Sequence, residues 1–418
     1  MKKYHLFIIA LIFFSTFIFA RQTKKDTTAQ TPQPAQATQT VIDTAALEAE
    51  LAKELGVDGE SSAETPQTQP VLSGNANRSG SSLNPKISMV GTFLTSATEA
   101  NAVAKTVDTG LSEAELSLQA YVDPYSKADF FIAFGRETED PFAGPDSEIA
   151  ANGEYEAELE EAFVTSLSLP FGLQIKAGKF RSNFGKINQT HPHALKFLDL
   201  PRMHVNFLGD EGLGDRGLGV NWLIPNPLNF FQELTVEVTS GALNGPTFQG
   251  GSNNLLYLGH LKNFFDLSPN STLEMGFSGI YGAHNNAGDK TKIGAVDLTY
   301  KWKPLRQNRY KSFVWMTEGL ISNRDERAGN ITSRAFYSFM DYQIAKRWFL
   351  GGRFDYSEFP DNSDLNEKAY SVMLNFFTTE FQKIELEFQH GDPAEFDSFN
   401  RVLLRAVFVI GAHGAHKY

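Results

Sequence analysis

The chain has 418 residues and a formal net charge of −12, with 37 Lys and Arg against 49 Asp and Glu, and it contains no cysteine. The lack of cysteine excludes disulfides, thiolate metal sites and thiol nucleophiles. The acidic balance argues against nucleic acid as a partner.

The first 84 residues are predicted to stay outside the folded domain. Residues 1–20 combine a basic start, an apolar run and a small residue, Ala20, which is the pattern of a secretory signal peptide. Residues 21–84 are rich in Thr, Gln, Pro, Ala and Ser, so we predict a mostly disordered periplasmic linker. Within it, apolar residues at helical spacing predict one short helix near residues 43–55.

From residue 85 to residue 418 the chain alternates between apolar and polar residues, as two-faced strands do. Val296 and Leu298, for example, alternate with Asp297 and Thr299. Short turns alternate with longer polar loops, the first of them expected near residues 101–110. The pattern predicts a transmembrane antiparallel β-barrel of about sixteen strands. A soluble β-sandwich is disfavoured because no second apolar face is present for packing.

One stretch, residues 156–225, contains the unusual loop. Its first strand is predicted to place Leu159 and Phe163 on the lipid face and Glu158 and Glu160 on the other. After a tight turn and a second strand, residues 182–214 show no periodicity. A loop of this length in an ordered β protein is usually functional or disordered, so we predict that it folds into the barrel as a pore constriction. Its candidate residues are Lys186, His191, His193, Lys196, Asp199, Arg202 and His204.

The strand order, the long third loop and the terminal aromatic Tyr418 resemble those of bacterial outer-membrane porins. The run Ala177-Gly178-Lys179-Phe180, the segment around His191-Pro192-His193 and the sequence Gly209-Asp210-Glu211-Gly212-Leu213 most nearly resemble the phosphate-selective porin O/P-like group. The resemblance implies sixteen strands, a third loop folded into the lumen, a homotrimer and passive diffusion of small solutes. A phosphate-selective pore would line its path with Arg and Lys, and this sequence does not show such a lining.

Two other motifs have a structural and a functional interpretation. Residues 212–217 match G-x-G-x-x-G, but a strand and not a helix is predicted to follow, which argues against a nucleotide site. His191 and His193, with Asp199 and His204 nearby, have the ligand types of a Zn²⁺ site. Hydrogen bonds within a folded loop explain them as well, so we predict no metal and no other cofactor, with these two histidines as weak metal candidates.

The inward faces of the predicted strands carry more acidic than basic residues. The pore wall is expected to include Glu158, Glu160, Lys176, Arg353, Asp355, Glu385, Glu387 and Arg405. Over all the strands considered, twelve inward acids oppose seven inward bases. Because rings of Asp and Glu favour cations, this predicts a weak cation preference.

We therefore predict a general diffusion porin of the bacterial outer membrane that is not an enzyme, since no catalytic set can be placed. The alternatives are a phosphate- or anion-selective porin and an outer-membrane receptor for metal (zinc) uptake. The expected partners are outer-membrane lipid, small solutes, two further copies of the chain and the barrel-assembly machinery, with Tyr418 as the assembly signal.

Overall fold

The structure is a computed structural model that describes residues 85–411, apart from residues 101–102, 137–139, 144–154, 229, 243–244, 252–253 and 328. Among these described residues, no helix is long and apolar enough to cross a membrane. The predicted signal peptide, linker and helix near residues 43–55 lie outside them, as does Tyr418.

Sixteen β-strands make up most of the described chain. They are β1 (Lys86–Ala100), β2 (Val103–Asp123), β3 (Ser126–Gly135), β4 (Glu156–Ser166), β5 (Leu173–Arg181), β6 (Gly214–Leu223), β7 (Phe231–Thr239), β8 (Leu256–Ser268), β9 (Ser271–Ala283), β10 (Lys290–Trp302), β11 (Phe313–Arg324), β12 (Ile331–Ala345), β13 (Trp348–Glu358), β14 (Asn366–Phe377), β15 (Gln382–Asp392) and β16 (Phe399–Gly411).

The strands form one closed barrel in which each strand pairs with its neighbour in sequence and β1 pairs with β16, always antiparallel. Closure leaves no unpaired sheet edge, which is what lipid requires of a spanning β structure. The predicted sixteen-stranded barrel is confirmed. The prediction of a long loop near residues 101–110 is wrong, because β2 already begins at Val103, which pairs with Ala100 of β1.

The outer and inner faces of the barrel differ in chemistry, because successive residues of a strand point to opposite faces. Large apolar side chains such as Phe277, Val296 and Val372 are exposed on the outside. Their neighbours in sequence, among them Asp297 and Ser371, point inward and are buried. An apolar exterior on a closed barrel matches the lipid of an outer membrane.

The predicted alternation fails in β4, where a β-bulge shifts the register. Phe131 of β3 pairs with Glu161, and the next residue, Ile132, pairs with Leu159, so that Glu160 is the extra residue. A bulge of this kind reverses the side-chain faces of the residues beyond it. The predicted lipid-facing position of Phe163 is therefore wrong: its ring lies on the inside, 4.5 Å from the Lys176 ammonium.

Residues 182–213, which connect β5 to β6, form the third loop on one side of the barrel and lie inside the ring of strands, as the fold prediction stated. Its described residues include one α-helix, α1 (Arg202–Leu208), and a short 3₁₀ helix at Pro192–Ala194. Its buried apolar side chains, including Phe184, Phe197 and Phe207, share one hydrophobic cluster with Tyr337 and Phe339 of β12. The barrel thus has a small hydrophobic core within its lumen, although its wall there is largely polar.

Candidate functional site

The third loop enters the lumen through a tight turn at Gly185. This glycine has a φ of +58°, a conformation that costs little only for glycine, and a side chain there would meet the Glu318 carboxylate. The same carboxylate of β11 accepts a hydrogen bond from the Ile187 N–H at 3.1 Å. Side chains of the loop then reach the wall in several directions.

Asp199 joins the loop to three strands on one side of the barrel. Its carboxylate accepts hydrogen bonds from Arg353 of β13 at 2.6 Å, Gln389 of β15 at 2.8 Å and Arg401 of β16 at 2.8 Å. Burial by itself would raise the pKa of Asp199, but the two guanidinium groups and the hydrogen bonds lower that pKa to about 2. Asp199 therefore stays charged over the whole physiological pH range.

Arg405 of β16 holds the middle of the loop through backbone atoms. Its guanidinium pairs with Glu385 of β15 at 2.6 Å and donates to the carbonyl oxygens of Pro192, Leu195 and Phe197 at 3.1 to 3.2 Å. Lys383 also donates to the Leu195 carbonyl, at 3.1 Å. This part of the loop depends on wall side chains for its backbone hydrogen bonds, because it forms no regular ladder of its own.

Basic residues of the loop pair with acids of other strands. Lys186 reaches Glu274 of β9 and Lys196 reaches Asp341 of β12, at 2.7 and 2.8 Å. Arg202, at the start of α1, contacts Glu367 of β14 at 2.9 Å. These pairs place opposite charges against each other inside the barrel, so several wall acids are neutralised by the loop.

His204 of α1 lies fully buried beside β11 and β12. Its Nε2 lies 3.4 Å from Glu318 Oε2, and the Tyr337 hydroxyl donates to Glu318 Oε1 at 2.7 Å. His204 is a polar residue in the apolar core of the loop, and the buried Glu318 carboxylate and the Tyr337 phenol provide its polar neighbours.

His191 and His193 meet the opposite wall, at β2 and β4. The Nδ1 atom of His191 lies 2.8 Å from Glu115 Oε2, and its Nε2 lies 3.1 Å from Glu161 Oε2. The Nδ1 atom of His193 lies 3.4 Å from Glu115 Oε2. Burial by itself would lower the pKa of His191, but hydrogen bonds to three carboxylates raise that pKa well above its ordinary value.

The seven loop residues proposed from the sequence thus all lie inside the barrel, and each contacts a wall residue. They do not form one site. His191 and His193 come together, as the motif suggested, whereas Asp199 belongs to the arginine network of β13 and β16 and His204 belongs to the apolar core. Residues 212–217 lead into strand β6 and into no helix.

The wall charges counted from the sequence differ in their contact with water. Nine of the twelve inward acids are buried: Glu115, Asp129, Glu237, Glu274, Asp297, Asp341, Asp355, Glu385 and Glu387. Arg353 and Arg405 are buried with them. The lysines vary: the side chains of Lys127 and Lys262 are each 31% exposed and that of Lys196 is 39% exposed, whereas those of Lys186 and Lys383 are 12% and 14% exposed.

Sequence reasoning missed several residues that the fold brings to the loop. Glu113 could have been found, since it shares the parity of Glu115. Glu161 was missed because it follows Glu160 directly, and two adjacent acids cannot both face inward without a bulge. Arg401 gave no signal, because only its contact with Asp199 distinguishes it from other inward polar residues.

Several solved outer-membrane proteins share this barrel, although no family model matches the chain. OprB of Pseudomonas putida is 13% identical and has a TM-score of 0.56 over 78% of this chain and 94% of its own. An anion-selective porin from Comamonas acidovorans is 13% identical, with a TM-score of 0.51 over 78% and 100%. The trimer form of Vibrio cholerae OmpT is 10% identical, with a TM-score of 0.50 over 78% and 100%. At these identities the likeness concerns the fold.

The sequence also has a clear relative. An uncharacterized protein of Aquifex aeolicus (strain VF5) is 32% identical in an alignment 357 residues long, which covers 74% of this chain and 70% of that protein. Identity at this level over most of both chains establishes common descent, and the apolar exterior of the closed barrel establishes its surroundings. The chain therefore belongs to the same protein family as the Aquifex aeolicus protein, and it is a sixteen-stranded β-barrel of the bacterial outer membrane.

Proposed function

We propose that this protein is a passive diffusion channel for small hydrophilic solutes and that its third loop is the constriction. The observation that carries the proposal is the position of that loop, whose charged side chains contact β2, β4, β9 and β11 through β16 from inside a closed barrel. Loop residues that line the remaining space would set its width. Lys186, His191, His193, Lys196, Asp199, Arg202 and His204 are the proposed constriction residues.

The charges that water reaches support an anion preference for this channel. Inward lysines recur on the half of the barrel near the short turns, at Lys127, Lys176, Lys262 and Lys301. Lys301 also interacts electrostatically with Lys186 and Lys196 of the third loop. Lysine rings favour anions, and the Debye length of about 8 Å at physiological salt lets such charges act across a narrow pore.

The weak cation preference expected from the sequence rests on a count of acids. Most of those acids are buried against the loop or beside a basic partner. In the pairs Lys127–Asp129, Lys262–Glu274 and Lys196–Asp341, the lysine side chain is 31 to 39% exposed and the acid at most 9%, so the basic partner is the one that water reaches. We therefore favour anions. A phosphate preference is the narrower form of this proposal.

The reversal potential of the purified protein, measured across a tenfold KCl gradient in a planar bilayer, tests the selectivity. We expect the sign of a chloride-preferring channel, and a shift toward zero in the double variant Lys262→Gln, Lys301→Gln. Lys311→Gln, which removes an exposed charge from the turn between β10 and β11, is the matched control. A potassium preference in the wild type would refute the anion assignment, and added phosphate that blocks the chloride current in a saturable way would support the narrower form.

We propose further that the barrel-assembly machinery inserts the protein and that it works as a homotrimer in outer-membrane lipid. The trimer form of Vibrio cholerae OmpT supports the oligomer as a property of this fold. Mass measurement in detergent, together with conductance steps that occur in groups of three, tests it. A monomer in both measurements would contradict the trimer and leave the channel proposal in place.

A further inference from the structure

A cluster of four carboxylates and two imidazoles joins the third loop to the wall at β2 and β4. We call it the carboxylate–histidine cluster, and its members are Glu113, Glu115, Glu160, Glu161, His191 and His193. Two residues come from one face of β2, two from the bulge of β4, and two from the His-Pro-His turn of the loop. The bulge matters because it turns both adjacent glutamates toward His191.

The donor atoms of the cluster form two overlapping sets with the spacing of metal ligands. Glu113, Glu115 and His193 place three donor atoms within 4.8 Å of one another, and so do Glu115, Glu160 and His191. Glu115 belongs to both sets. It lies between the two histidines, with Oε2 at 2.8 Å from His191 Nδ1 and 3.4 Å from His193 Nδ1.

The state of Glu115 is a second, independent sign of a ligand site. Its side chain is completely buried: Oε2 lies close to both histidines, whereas Oε1 has no hydrogen-bond partner among the described residues. A buried carboxylate oxygen without a partner is costly unless a cation compensates it. The His191 imidazole lies close to Glu115, but the same ring also contacts Glu160 and Glu161. Three carboxylates therefore share one imidazole.

The charges around the cluster point in the same direction. Four carboxylates lie together, and the guanidinium of Arg181 is directed to Glu160, which it reaches at 2.7 Å, while its other amino group donates to a backbone carbonyl. Even with His191 protonated, the acids outnumber these positive charges. A bound divalent cation would compensate the excess of negative charge, because it brings two positive charges into the space between the carboxylates.

We propose that the carboxylate–histidine cluster binds a divalent transition-metal cation of the Zn²⁺ type, with Glu115 as the shared ligand and His191 and His193 as the nitrogen ligands. Imidazole together with carboxylate suits Zn²⁺ and its neighbours better than Mg²⁺ or Ca²⁺, which prefer oxygen ligands alone. A bound metal would connect the third loop to β2 and β4 through coordination bonds. The site thus gives the loop a metal-dependent attachment that diffusion itself does not require.

Metal content of the refolded full chain tests the proposal. The chain is refolded in detergent with and without Zn²⁺ or Co²⁺, dialysed against metal-free buffer, and assayed for bound metal and for the visible spectrum of Co²⁺. Refolding in the presence of metal is needed because both histidines are buried. We expect about one Zn²⁺ per chain, a Co²⁺ spectrum of nitrogen and oxygen ligation, and no retention of Mg²⁺ or Ca²⁺.

Variants separate this site from adventitious binding. Glu115→Gln, and His191→Asn with His193→Asn, should each weaken Zn²⁺ binding by about tenfold or more. His260→Asn is the matched control, since His260 is a buried histidine of β8 that hydrogen-bonds Ser278 far from the cluster. Wild-type protein that retains no Zn²⁺ overturns the proposal, as does equal loss of binding in His260→Asn and Glu115→Gln. Should the cluster variants fail to fold, the wild-type Co²⁺ spectrum alone decides, and none of these readouts depends on whether the barrel conducts.

Discussion

Arg405 offers the sharpest test of how the third loop is held. Replacing it by methionine keeps an unbranched apolar stem but removes every donor to the loop. The pair with Glu385 lies within the wall, and Lys383 still contacts Glu385 at 3.0 Å, so the barrel itself keeps a partner for that carboxylate. The change therefore acts mainly on the contact between wall and loop.

The free energy by which Arg405 favours the docked loop follows from the three carbonyl oxygens that it reaches within 3.2 Å. A hydrogen bond to a charged group contributes about 1.5–3 kcal/mol. Because the three bonds share one guanidinium, we count two of them at the lower value, which gives about 3 kcal/mol. This corresponds to about a hundredfold change in the equilibrium between docked and released loop.

Single-channel recording measures that equilibrium as the time spent in a wider conductance state. We expect Arg405→Met to raise the ratio of wide to narrow dwell times by about a hundredfold. Arg306→Met, which removes an exposed charge from the turn between β10 and β11, is the control and should leave the ratio unchanged. If folded Arg405→Met barrels, identified by heat-modifiable migration, gate like the control, the guanidinium does not hold the loop.

Three further predictions concern the loop and the wall. Removal of residues 189–198 should increase the conductance of barrels that still assemble, and an unchanged conductance would show that the loop is not the constriction. The lowered pKa of Asp199 stabilises the docked loop at every pH above its ordinary value of about 3.9, and this contribution is lost as the pH falls through about 2. Gating of the wild type should therefore be constant down to about pH 4 and should approach that of Asp199→Asn near pH 2, whereas convergence at pH 5 would contradict the assignment. Because of the bulge in β4, a cysteine at Phe163 should react with a water-soluble thiol reagent from the lumen and a cysteine at Val164 should not; the reverse result would place the bulge elsewhere.

The sequence alone determined the barrel, its strand number and the position of the third loop. These features follow from local properties: a two-residue period identifies each strand and its two faces, and Gly, Pro and Asn mark the turns. The closing pair of β1 with β16 then follows from the rule that a spanning sheet leaves no free edge. None of this requires knowledge of which distant side chains meet.

The sequence also indicated His191 and His193 as neighbours in a folded loop, but it could not supply their partners. Glu115 lies 76 positions before His191 and is one of many inward acids with the same local pattern. Glu161 was not predicted as an inward residue, because strict alternation after Glu160 excludes it and a bulge is not visible in the composition of the strand. Two partners of the carboxylate–histidine cluster were therefore visible only in the folded chain.

The electrostatic character of the lumen was decided by tertiary structure. Asp355 and Glu387 have the alternation of water-facing residues, yet both are fully buried beneath the third loop. Whether an inward side chain meets water depends on a segment more than 150 positions away, and alternation along a strand contains no information on that contact. The net charge of a wall can thus be counted from sequence, whereas the charge that a solute encounters is set by which of those residues the loop covers.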